Sequence, residues 1–83
     1  MNNTLTIEAK HSPEFLERLL RVCRHRGFSI ITINATTEQQ LTNIELTVSS
    51  ERDISLLIKQ INKVIGVLTV TLSASSRNIK ASA

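Results

Sequence analysis

Apolar and polar residues alternate in several short stretches and recur at helical spacing in two longer ones. Leu5, Ile7 and Ala9 alternate with Thr4, Thr6 and Glu8, the two-residue period of a strand with one buried face. Ser12 and Pro13 then predict a helix start, since serine can cap free amides and proline in the first turn loses no hydrogen bond. Phe15, Leu16, Leu19, Leu20 and Cys23 form one apolar face running up to Gly27, which ends the helix. A second strand is expected from Phe28 to about Ala35. "TTEQQLT", Thr36 to Thr42, lacks buried periodicity and reads as a hairpin loop into a third strand, Asn43 to Ser50, with Ile44, Leu46 and Val48 on one face. Ser50 with Asp53 resembles a capping box, and Ile54, Leu57, Ile58 and Ile61 predict a second helix stopped by Gly66. A fourth strand follows, Val67 to Ala74, with Leu68, Val70, Leu72 and Ala74 on one face.

The pattern repeats, because a single shift carries Gly27 onto Gly66, lays Leu5, Ile7 and Ala9 on Ile44, Leu46 and Val48, and lays Phe15 and Leu19 on Ile54 and Ile58. Two strand-helix-strand units joined by a hairpin predict an α/β (α+β) fold, a ferredoxin-like βαββαβ sandwich with a four-stranded antiparallel sheet and two helices on one face. The domain is expected over 4–74, with the small, polar 75–83 as a flexible tail.

Composition narrows the picture. With 83 residues the chain is one small domain that gains from a partner surface, so an oligomer or subunit is expected. Phe15 and Phe28 are the only aromatic residues, and the core must be aliphatic. A single cysteine excludes an internal disulfide, and the first ten residues do not read as a leader, which favours a reducing cytoplasm. No apolar run is long enough for a bilayer, so no membrane association is expected. The net charge of +3 is too mild to argue for nucleic acid.

Three chemistries that this architecture can host find little support. Base stacking needs aromatic rings on the open sheet face, which here would carry Thr4, Thr6, Glu8, Asn43, Glu45 and Thr47; no nucleic-acid partner is expected. Metal carriage needs paired thiolates, whereas Cys23 is alone on an apolar helix face, and no metal site is expected. Phosphate chemistry needs a glycine-rich loop after the first strand, and "KHSPE" has none. His11 and His25 have no spacing that forces a catalytic partner on either, so no catalytic residue is assigned.

The remaining feature is the basic stretch "LLRVCRHRGFSI", Leu19 to Ile30. Much of it has a structural account. Glu14 and Glu17 precede Arg18 and Arg21 by four, the favourable order for helix ion pairs. Cations in a last helical turn complement its dipole, and Gly27 followed by Phe28 suits a Schellman stop. The number of cations exceeds what a dipole needs, and a docking surface for an acidic patch is the competing account.

Together "FLERLLRVCRHRGFSI", "NIELTVSS" and "INKVIGVLTV" resemble the small regulatory subunits of acetolactate synthase (acetohydroxyacid synthase), of the short isozyme 2 type. The resemblance covers about Leu5 to Val70 and implies an ACT domain. It also implies a non-catalytic subunit that binds and activates a large catalytic chain in branched-chain amino-acid biosynthesis. That large chain would hold the thiamine diphosphate, magnesium and FAD, with no cofactor in this one. A homodimer through ACT sheet edges is implied as well.

In valine-sensitive relatives an asparagine and a glycine after strand one, with another asparagine beyond the helix-ending glycine, hold the effector at a dimer interface. The matching positions here are His11, Glu14 and Ser29, which implies weak or absent valine inhibition. Partner binding is assigned to Arg21, Arg24, His25, Arg26 and Phe28. A freestanding homodimeric ACT-type metabolite sensor is the alternative.

Overall fold

The computed structural model describes residues 2–73. The elements are β1 (Asn2–Lys10), α1 (Phe15–His25), β2 (Ser29–Glu38), β3 (Leu41–Ser49), α2 (Ile54–Asn62) and β4 (Val67–Ser73). They form one antiparallel sheet in the order β2-β3-β1-β4, the predicted βαββαβ arrangement. Leu5, Ile7 and Ala9 of β1 lie opposite Leu46, Ile44 and Thr42 of β3, and this face packs with Phe15, Leu19 and Cys23 of α1 and Leu57 and Ile61 of α2 in a single core. Both helices therefore cover one face. The other face carries Thr4, Thr6 and Glu8 beside Thr47, Glu45 and Asn43, with Thr32, Asn34 and Thr36 continuing the rows on β2.

Several expectations shift. The hairpin loop over 36–42 is instead mostly strand: β2 and β3 extend until only Gln39 and Gln40 turn, at φ 51° and 71°. The threonines there favour extended backbone, and Thr37 and Thr42 bond through their hydroxyls at 3.0 Å. Ser12 does not cap α1. Its hydroxyl donates to the Glu14 carboxylate at 3.2 Å, and the helix begins after Glu14. Nor does Ser50 cap α2; Asp53 does, accepting from the Ser55 amide at 3.0 Å, while Ser50 accepts from the Arg52 amide.

Gly66 is not the stop of α2, which ends at Asn62. At φ 100° this glycine turns the chain into β4, and its carbonyl accepts from the Lys10 amide at 2.9 Å. In β4 a bulge places Val67, not Leu68, opposite Ala9, so Val67 and Val70 pack against the core, while Leu68 and Leu72 are both largely exposed. On α1, Val22 packs against the core while Leu16 is exposed. Ala74 and the expected tail 75–83 lie outside the described residues.

Candidate functional site

The end of α1 concentrates cations. Arg21, Arg24 and His25 are exposed on its last turns and Arg26 is its C-cap residue. A cation there gains about 0.3–1 kcal/mol from the helix dipole. The stop itself is a Schellman arrangement: with Gly27 at φ 84°, the Phe28 amide donates to the Cys23 carbonyl at 2.9 Å and the Gly27 amide to the Arg24 carbonyl at 3.1 Å.

The same motif corrects one assignment. Phe28 is only 4% exposed and packs in the core, because a Schellman stop folds the residue after the glycine back against the helix. Its ring is not freely exposed; it forms the inner wall of a cleft.

Two residues that the sequence reading missed complete this corner. Arg52, in the loop before α2, lies across Gly27: a Cβ added at that glycine would fall 2.9 Å from Arg52 Nε and 3.3 Å from Cδ. Gln60 of α2 accepts from Arg26 Nη2 at 3.2 Å, anchoring one arginine of the cluster to the other helix. No local pattern announces either residue. The topology does announce Arg52, since pairing of Ser29 with Ser49 carries the β3–α2 loop to the end of α1.

Clefts open on both sides of this bridge. One, of about 530 Å³, is lined by Leu20, Arg24, Phe28 and Ile30, and the other, of about 690 Å³, by Ser49, Ser50, Glu51 and Arg52; Gly27 and Ser29 border both. Beneath them Cys23 is buried, and burial pushes its thiol up to about 11, which leaves no thiolate for nucleophilic work at neutral pH.

The second group of assigned residues is divided between the two ends of the sheet. His11 lies beside the β2–β3 turn, its amide donating to the Gln40 carbonyl at 2.8 Å, and Glu14 is nearby at the start of α1. Ser29 begins β2 at the opposite end, a separation of about 30 Å for a strand of this length. One chain does not bring the three together. Next to His11 is a cavity of about 220 Å³ lined by Pro13, Phe15, Leu16, Ala35 and Ile44 among others. Among the described residues no three His, Cys, Asp or Glu side chains are grouped as metal ligands, and no helix is long and apolar enough to cross a membrane.

Residues 11–70 match the ACT-domain family. In fold the chain is similar to the ACT domain of a GTP pyrophosphokinase from Chlorobium tepidum, with a TM-score of 0.78 at 17% identity, covering 88% of this chain and 97% of that one. It is likewise similar to the acetolactate synthase small subunit from Thermotoga maritima, with a TM-score of 0.75 at 20% identity, covering 87% of this chain and 47% of that one. The βαββαβ layers and their strand order are those of the ACT fold, and the match over residues 11–70 makes the chain an ACT domain. In sequence the chain is 44% identical over 78 residues to the acetolactate synthase isozyme 2 small subunit of Escherichia coli strain K12, spanning 92% of this chain and 90% of that protein. The chain belongs to the ACT-domain family, among the small subunits of acetolactate synthase. It is a regulatory chain of that enzyme, and catalysis rests with the large-subunit partner.

Proposed function

We propose that this chain binds the acetolactate synthase large subunit and raises its activity, acting by association in the cytoplasm and carrying no cofactor of its own. The observation that carries the reading is the 44% identity to the isozyme 2 small subunit over 92% of this chain and 90% of that protein. Thiamine diphosphate, magnesium and FAD belong to the large subunit in this reading. Activation follows if the small chain makes better contacts with the active arrangement of its partner than with the inactive one. The exposed arginines at the end of α1, Arg21, Arg24 and Arg26, with His25 beside them, are its contact surface.

A homodimer forms through the β2 edge. Of the two edge strands β2 is the longer among the described residues, ten residues against seven. Antiparallel pairing of two β2 strands about Ile33 and Asn34 carries Ser29 of one copy toward the Glu38 end of the other, beside His11 and Glu14. Valine acts weakly or not at all on the composite site so formed. The Glu14 carboxylate stands at the N-terminus of α1, where it repels the carboxylate of an amino acid, and the His11 amide is already engaged.

Reconstitution tests the proposal. Adding the purified chain to the large subunit raises acetolactate formation several-fold, while the chain alone turns over nothing; a large subunit indifferent to it refutes the reading. Calorimetric titration of valine gives no binding in the micromolar range, and micromolar affinity overturns the argument from His11, Glu14 and Ser29.

A further inference from the structure

The bridge at Gly27 does more than end a helix. Arg26 is held by Gln60, but the guanidinium groups of Arg24 and Arg52 have no hydrogen-bond or ion-pair partner among the described residues, and both are exposed. They come from different elements and flank the same glycine. Neither nearby acid is ion-paired with them among the described residues: Asp53 accepts from the Ser55 amide, and Glu51 lines the polar cleft beside Arg52. Arg24 lines an apolar depression with half-buried Leu20 and Ile30 and with Phe28 as its inner wall, and Arg52 lines the adjoining polar cleft across Gly27 and Ser29, which border both.

We infer that this corner is a docking groove for an extended acidic segment of the large subunit, with one aliphatic side chain seated against Leu20, Phe28 and Ile30 and flanking carboxylates on Arg24 and Arg52. The inference rests on the proposed association with the large subunit and names its chemistry. The guanidinium fork is suited to carboxylates, and a desolvated apolar anchor beside charge pairs is how small interfaces gain both orientation and affinity. Gly27 is required because a side chain at that position would displace Arg52 from the groove. Glu51 sets the direction of the segment by repelling carboxylates from the polar side.

The test is affinity of the full chain for the large subunit at low and high salt. Arg24→Gln and Arg52→Gln each weaken binding by about tenfold and flatten its salt dependence. Leu20→Gln weakens it similarly without changing the salt dependence, and Lys63→Gln, at the opposite end of α2, leaves it unchanged. Thermal melts establish that each variant is folded, and Arg52→Lys, which keeps the charge but loses the fork, reproduces part of the loss if Arg52→Gln is not. Equal binding by the wild type and both arginine variants overturns the groove and leaves the proposed function standing. Failure of the wild type to bind the large subunit overturns both. Loss in the arginine variants with Leu20→Gln neutral also overturns the groove, in favour of plain charge attraction.

Discussion

Gly27 meets two demands at once. Its φ of 84° lies in the left-handed region, and its missing Cβ leaves the space that Arg52 occupies. Gly27→Ala therefore destabilises the chain by about 1 kcal/mol from the backbone alone, read as a lower midpoint in urea. The steric part is small, because the end of the Arg52 side chain can swing away. Cys23 gives a second prediction at this scale. Its buried thiol resists alkylation by iodoacetamide in the native chain and reacts fully in denaturant. The folded chain holds that proton more tightly than the unfolded one, so its contribution to stability is intact below the ordinary thiol value of 9.0 and is lost as pH rises toward about 11. Both roles were half legible in the sequence. The helix-ending glycine and the small buried cysteine follow from spacing, but Arg52 lies 25 positions beyond Gly27 and enters only through tertiary pairing.

At the scale of elements, periodicity located all four strands and both helices, whereas their ends depended on chemistry that a pattern does not display. The β2–β3 hairpin is the clearest case. "TTEQQLT" has few apolar residues and so reads as loop, yet its threonines pair across the strands and leave a two-residue turn with both residues at positive φ. Such a turn favours Asn-Gly. Replacing Gln39 by Asn and Gln40 by Gly raises stability by about 1 kcal/mol, measured by chemical denaturation. The bulge in β4 was hidden for a related reason: strict alternation selected Leu68, while the register with β1 selects Val67. At the start of α2 the competition between Ser50 and Asp53 is resolved in favour of Asp53, whose carboxyl is held below its ordinary value by the Ser55 amide. A carboxyl with a lowered value in the folded chain stabilises above its unfolded value and ceases to do so as pH falls through the folded one. Asp53→Ala lowers the melting temperature by a few degrees at neutral pH, and the difference from wild type shrinks in acid.

Across the whole molecule, every arginine among the described residues lies in a helix or next to one, where Glu14, Glu17, Glu51 and Asp53 are interspersed with them. The open sheet face carries Glu8 and Glu45 among threonines and asparagines, while the arginines of α1 and Arg52 lie on the helix side or at its end. The fold and the basic cluster were readable from one sequence because both arise within contiguous segments. The three proposed effector positions do not form a site within one copy, since about 30 Å of strand separates Ser29 from His11 and Glu14. Pairing of two β2 edges makes a further prediction. Asn34→Lys sets like charges near the two-fold axis and shifts analytical ultracentrifugation profiles from dimer toward monomer, whereas Thr71→Lys, on β4, does not.

That β2 edge also bears on how the chain must be made. Ten residues of extended backbone whose single charge is Glu38 at one end form, until a second copy covers them, a template onto which an unfolded or nascent strand can add. A copy whose edge is still uncovered would seed insoluble material, so prompt pairing of that edge protects the cell as well as completing the fold.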